Sequence, residues 1–395
     1  MKKIQFILLL ALLAAFPPLA TDMYLPAIPF LQSLWTVPLS IINLTLVLFF
    51  VVYCASLLIY GPLSDRFGRR PPLMAGILCF VAGSFLCALA KGVTMLIVAR
   101  VIQAFGAASA SAISMAMTKD RLEGKEREQA MGYVAVIMAI APMVSPMIGS
   151  EILKVASWPF IFIAQGCIGM VALVGVFFFK ESHPNPSAVS VMGLVRAYGR
   201  VMRNRRFMSM VGCSSLVGLP SFAFIGASST IYMVTYHLSA QEFSLFFGGN
   251  ALCFMAGAMV CSRLGAKVSS ARLVQIGFGG ICLGGALMML NLFAGPWALA
   301  LPMGGTSFFM GLSRPPANHL ALEQVSRDVG VASSILIFSY FIIGALGMAL
   351  VSFDGGSTLS FIGGISAVIG LVLFFWWGRL KGYAGLDKSV SYEVS

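Results

Sequence analysis

Gly61-Pro62-Leu63-Ser64-Asp65-Arg66-Phe67-Gly68-Arg69-Arg70-Pro71 decides how the rest of this sequence is read. These residues concentrate charge in a chain that is only 10% charged, and they stand between two apolar runs at 39–62 and 73–90. Gly61 and Pro62 end one helix, Gly68 permits a tight reversal, and Asp65 can accept hydrogen bonds from a helix start or from guanidinium groups. A helix needs ~20 apolar residues to cross the hydrocarbon of a bilayer, so the stretch reads as a short basic turn joining two membrane spans.

The same alternation continues in both directions. The 395 residues are 59% hydrophobic, whereas soluble domains run near a quarter charged. Apolar runs predict spans at 4–31, 39–62, 73–90, 94–118, 129–150 and 158–179, then at 207–234, 241–262, 272–292, 296–318, 329–352 and 357–378. The tenth, holding Pro302, Pro315 and Pro316, is the least regular. The expected fold class is an all-α integral membrane protein of about twelve transmembrane helices. Its expected parts are a six-helix half at 1–180, a cytoplasmic basic linker at 181–206, a second six-helix half at 207–378 and a cytoplasmic tail at 379–395. Six spans, a long connection and six more is the layout of a transporter with two pseudo-symmetric halves. The linker carries Pro184 and Pro186, then a basic stretch from Arg196 to Arg206 suited to lie helically on an anionic leaflet. Met1-Lys2-Lys3 and the apolar run to Ala15 are signal-like, but further spans follow, and an uncleaved first helix is expected.

A formal net charge of +12 raises nucleic acid as a partner, and the placement of the basic residues answers it. In alternate loops, 23 of the 26 Lys and Arg fall on one side of the predicted membrane, against Lys91 and Lys154 on the other and Arg100 inside a span. Basic residues accumulate in cytoplasmic loops, so the excess sets topology, puts both termini in the cytoplasm and leaves no role for nucleic acid. The expected location is the inner (cytoplasmic) membrane, with the lipid bilayer as a partner and a monomer as the working unit. The eight cysteines lie in apolar runs without CxxC pairing and read as small buried hydrophobes. His183, His237 and His319 form no ligand cluster, and the sequence offers no metal site, phosphate-binding glycine loop or nucleophile with a matching base. A non-enzyme without a cofactor is expected.

Arg100 costs roughly 2.5–3.5 kcal/mol inside a span on insertion scales, so it should face protein or water and have a partner. Asp22 is the carboxylate well inside a predicted span. The first span runs outward and the fourth inward, and at about 1.5 Å per residue both side chains come within roughly 10 Å of the outer boundary. Two readings stay open here: a permanent structural ion pair, or a carboxyl that gains and loses a proton beside Arg100. Polar groups at membrane depth should turn inward, which nominates Tyr24, Asn43, Tyr53, Gln103, Tyr133, Tyr232 and Asn250 as substrate-binding residues. The 31 Phe and 23 Met suit a cavity for varied apolar solutes.

Gly61 to Pro71 resembles the signature loop of the major facilitator superfamily, and Arg100, Gln103 and Gly106 resemble its second motif. Ala141-Pro142, Ser145-Pro146 and Gly149-Ser150 are similar to the third motif, associated with exporters, although Ser145 and Ser150 stand where glycine is preferred. With Thr21-Asp22-Met23-Tyr24-Leu25-Pro26-Ala27-Ile28-Pro29, the resemblance narrows to the Bcr/CflA group of drug:proton antiporters. The second half adds only Ser262-Arg263-Leu264-Gly265, a degraded echo of the signature loop, and Ser313-Arg314-Pro315-Pro316-Ala317. The resemblance implies the major facilitator fold and export of small amphipathic drugs by alternating access, with protons as partner and the proton gradient as energy source. It assigns proton coupling to Asp22 and Arg100, a gating loop to Gly61, Asp65, Arg66, Gly68, Arg69 and Arg70, and a bent exporter helix to Pro142, Pro146 and Gly149. A further acidic residue known in the first span of some related exporters is lacking here. A transporter of a metabolite such as an amino acid is the alternative on the same fold; a membrane-embedded enzyme or sensor is a remote one.

Overall fold

The computed structural model describes residues 3–179, 181, 191–353 and 358–383. Lys2, Lys180, His183, residues 182–190 of the expected linker and residues 384–395 of the expected tail lie outside them. Every regular element among the described residues is helical. In chain order these are α1 (Ile4–Leu34), α2 (Leu39–Phe67), α3 (Arg70–Ala88), α4 (Val93–Arg121), α5 (Gly124–Val155), α6 (Pro159–Phe177), α7 (Val191–Met202), α8 (Arg205–Thr235), α9 (Ala240–Leu264), α10 (Ser270–Leu290), α11 (Trp297–Glu323), α12 (Val329–Ser352) and α13 (Thr358–Tyr383).

Among the described residues, eleven helices are long and apolar enough to cross a membrane. Large apolar side chains such as Leu78, Val171, Leu283 and Phe375 stand exposed on them, a cost in water but not in hydrocarbon. The tenth predicted span is α11. It is helical over 27 residues, long enough to cross, yet it falls outside the apolar set because Gly304, Gly305, Thr306, Ser307 and Arg314 dilute its hydrophobic character. The prolines do not break it. Several helices overrun the predicted apolar runs, since a helix continues past the hydrocarbon until a cap or turn stops it.

The chain divides into two compact units, Met1–Leu194 with Leu238–Gly248, and Val195–His237 with Gly249–Ser395. The division falls within α7, and Ala197 and Val201 of that helix are buried. The opening turns of α9 also depart from the expected halves by joining the first unit. There the Ser244 hydroxyl bonds the Pro146 carbonyl (2.9 Å), Gln241 Nε2 donates to the Ser150 carbonyl (3.0 Å), and Met143 packs on Gly248.

Two helices are interrupted. In α1, pieces at Lys3–Ala14, Phe16–Asp22 and Ile28–Leu34 are joined through a 3₁₀ turn at Leu25–Ala27. Pro17 and Pro18 open the second piece and Pro29 the last, while Pro26 lies in the turn; proline lacks the N–H that an interior turn needs. In α8, pieces at Arg205–Leu216 and Gly218–Thr230 are followed by a π turn, Ile231–Thr235. A Cβ at Gly218 would approach the Tyr340 carbonyl to 2.7 Å, so glycine allows α8 and α12 to touch there.

Candidate functional site

The break in α1 creates the polar centre of the first unit. The Tyr24 N–H bonds the Thr21 carbonyl (3.3 Å) instead of the Ala20 carbonyl one turn back, which leaves the last carbonyls of the Phe16–Asp22 piece without their helical donors. Side chains from two other helices replace them. Arg100 Nη1 donates to the Ala20 carbonyl (2.8 Å) and to Gln103 Oε1 (2.6 Å), while Gln165 Nε2 donates to the Leu19 carbonyl (3.0 Å). Gln103 Nε2 then donates to Gln165 Oε1 (2.7 Å) and to Ser84 Oγ (2.8 Å), and Ser84 to the Phe80 carbonyl (2.7 Å). Arg100, Gln103, Gln165 and Ser84 are all fully buried. Leaving a buried polar group unpaired costs about 1–3 kcal/mol, so one chain of bonds removes several such costs and fixes the break.

Arg100 sits in an aromatic box. Its guanidinium carbon lies 4.4 Å from the Phe49 ring centroid, 5.1 Å from Tyr24 and 5.8 Å from Phe162. A desolvated cation on a ring face gains about 2 kcal/mol, which offsets part of its burial cost. Its Nε and Nη2 have no acceptor among the described residues. The expected direct ion pair with Asp22 is not formed: the Asp22 carboxyl, also buried, bonds Thr21 Oγ1 (2.8 Å), and Thr21 Oγ1 in turn lies 2.9 Å from the Pro17 carbonyl. Similar depth did not settle which way the two side chains point.

Of the nominated binding residues, Gln103, Tyr24 and Tyr53 belong to this cluster. Tyr24 OH meets Thr45 Oγ1 (3.2 Å); Tyr53 stacks on Phe49 (6.2 Å) and donates to Ser111 Oγ (3.0 Å). Asn43 is fully buried on α2, near the Tyr24-facing Thr45 in sequence. Tyr133 is 56% exposed on α5. Tyr232 is buried in the π turn and Asn250 half-buried on α9, both in residue ranges of the second unit. The exporter-helix residues reach the site through Gly149, where a Cβ would collide with the Met23 carbonyl; Pro142 and Pro146 lie inside the continuous α5.

At the other end of α2 the signature loop is tied together inside the first unit. Arg69 bonds Asp65 (2.5 Å), Ser64 (2.7 Å) and Asp120 of α4 (2.7 Å). Burial works against its charge, but the bonds to Asp120 and Asp65 more than compensate and hold its pKa above the usual value. Asp65 therefore takes a guanidinium, as expected, while the start of α3 is capped by Glu181, whose two oxygens accept from the Arg69 and Arg70 N–H groups (2.8 and 3.0 Å). Gly68 has φ +84°, and a Cβ there would meet the Glu181 carboxylate at 2.7 Å. Gly61 has open space around it, Arg66 lies over Phe67 (5.4 Å), and Arg70 reaches the Phe177 carbonyl (2.6 Å).

Sequence reasoning missed Gln165, Ser84, Thr21, Asp120 and Glu181. Gln165 carried a usable signal, a lone amide inside an apolar span. Asp120 and Glu181 lie at helix ends, where acids look like ordinary loop residues.

Comparison with known proteins completes the site's context. Residues 10–348 match the family described as Major Facilitator Superfamily. The uncharacterized MFS-type transporter YdgK of Bacillus subtilis is 30% identical over 383 residues, covering 95% of each chain. The bicyclomycin resistance protein homolog of Haemophilus influenzae is 25% identical, covering 94% of this chain and 95% of its own. Among solved structures, a D-xylose–proton symporter superposes with a TM-score of 0.74 over 96% of this chain and 99% of its own, at 15% identity, a likeness of fold.

Proposed function

The chain belongs to the major facilitator superfamily, and from that premise we propose that it exports small amphipathic compounds, drugs among them, in exchange for protons. Membership makes it a multi-pass membrane transporter. The resistance protein among its relatives supports a toxic compound as solute, and the arrangement around Asp22 supports the proton.

One observation carries the coupling: the Thr21 hydroxyl has one hydrogen and lies between the Pro17 carbonyl and the Asp22 carboxyl. A protonated Asp22 satisfies both contacts, donating to Thr21 while Thr21 donates to Pro17. An ionised Asp22 is an acceptor only, so Thr21 must abandon the carbonyl to serve it. Proton loss thus changes the bonding of the second α1 piece, next to a guanidinium with two spare donors. The ionised carboxylate is drawn to those donors, and α1, broken just beyond Asp22, has the freedom to shift. Substrate and proton favour different arrangements, as exchange requires, because a ligand moves a conformational equilibrium only through differential affinity. The membrane is the inner one, with the basic loops in the cytoplasm.

Expression in a susceptible bacterium tests the export. The protein should raise tolerance to amphipathic drugs and lower dye accumulation, and collapsing the proton gradient should abolish both. Unchanged tolerance and accumulation across chemically varied compounds would contradict the reading.

A further inference from the structure

Arg314 of α11 stands nine residues before that helix ends at Glu323, ~13 Å along the axis at 1.5 Å per residue. Its guanidinium carbon lies 3.7 Å from the centroid of the Tyr340 ring on α12, a stacking distance. Tyr340 meets Phe222 of α8 edge-on (5.6 Å, 77°) and its neighbour Phe341 likewise (5.7 Å, 77°). Phe222 and Phe341 form the third edge of the triangle (5.7 Å, 84°). Ser221, beside Phe222, bonds Met310 Sδ (3.1 Å) one turn before Arg314. Arg314, Tyr340 and Phe341 are half-buried, so the group is open on one side.

Stacking uses the face of the guanidinium and leaves its fork of N–H donors in the plane. Among the described residues nothing accepts from that fork. The described part of the second unit holds two acids, and both are engaged elsewhere: Glu323 with His319 (3.0 Å) and Asp328 with Arg200 (2.8 Å). A helix cation with its donors held in a fixed plane, and no free carboxylate among the described residues of its unit, is a functional-site candidate whose missing partner is an anion.

We propose that Arg314 and the Tyr340–Phe222–Phe341 triangle form a substrate subsite for aromatic carboxylates. The carboxylate lies bidentate on the Arg314 fork, and the apolar ring packs against the aromatic triangle. This deepens the exporter reading and rests on it, since it names a substrate class for that transport. Tyr340 holds the plane of the fork, so a lysine at 314 would keep the charge but lose the geometry.

The test titrates full-length, detergent-purified protein with 1-naphthoate and with its neutral isostere 1-naphthamide. The parent should bind the carboxylate at least ten-fold more tightly than the amide. Arg314→Gln should erase that preference without changing amide binding, and Arg314→Lys should reduce it. Equal affinities in the parent overturn the subsite, as does a preference that survives in Arg314→Gln. If Arg314→Gln loses amide binding too and so proves misfolded, Tyr340→Leu decides: a reduced preference supports the subsite and an undiminished one overturns it. Asp22→Asn should keep the preference although coupled export stops. A parent that prefers the carboxylate but exports nothing in cells would sink the exporter reading and leave the subsite standing.

Discussion

In the first unit, the interrupted α1 is held by a guanidinium and two amides and carries a carboxyl beside them, all buried. In the second unit, the interrupted α8 is held by close backbone contact, Gly218 against the Tyr340 carbonyl and Gly347 against Leu219, with Ser214, Ser215, Ser228 and Ser229 buried along its length. Both breaks loosen a helix at membrane depth. Among the described residues, only the first break carries a carboxyl, Asp22 at the end of its second piece. Under the proposed function we read the difference as a division of labour, in which the first unit carries the proton and the second, with its half-buried aromatics and the stacked Arg314, meets the solute.

The sharpest way to break this comparison is to remove the charge from the first unit. Arg100→Leu strands Gln103 Oε1, at about 1–3 kcal/mol, reduces the Ala20 carbonyl to its 3.4 Å bond from Gln165 Nε2, and leaves Asp22 without a cation. Efflux should be lost and the melting temperature should fall, both measurable on the purified protein and in cells. A matched pair of glycine substitutions comes next. Gly149→Ala pushes a methyl into the Met23 carbonyl, and Gly218→Ala pushes one against Tyr340. Each should cost about 1–3 kcal/mol by overpacking, but only Gly149→Ala should also lower the number of protons released per substrate bound. If both perturb proton release equally, the division between the units fails.

A smaller effect is expected from Gln165→Leu, which unpairs the Leu19 carbonyl and one Gln103 donor, for a stability loss of about 1–3 kcal/mol read as a lower melting temperature. Transport should weaken but persist, because Arg100 still holds Ala20. The smallest belongs to Gly364→Ala on α13, where a Cβ meets open space; stability should stay within about 0.5 kcal/mol and transport should be unchanged.

Much of the scaffold was legible because bilayer thickness imposes a length on every apolar run. The exception, α11, was already the least regular run, and its residues show why: a helix that carries Arg314 and a Gly-Gly-Thr-Ser stretch is not uniformly lipid-like. The breaks were less legible. The apolar run at 4–31 reads as one span although Pro17, Pro18, Pro26 and Pro29 mark where α1 is interrupted, and α8 is interrupted at Val217 and Gly218 and twists into a π turn with Pro220 as its one proline, a consequence of packing that no local pattern encodes. Within the site, depth along a helix brought Arg100 and Asp22 to the same level, yet the break in α1 gave the Ala20 carbonyl, not the carboxyl, to the guanidinium. Glu181 was invisible as a cap because it is remote in sequence from the helix it caps.

The central claim is that the buried carboxyl in the opening helix exchanges a proton when substrate binds. Its most direct measurement is proton release on adding a transported drug to detergent-purified protein in weakly buffered solution, parent against Asp22→Asn. The parent should release protons in proportion to drug bound, and Asp22→Asn should bind drug and release none. Equal release from both proteins would contradict the account.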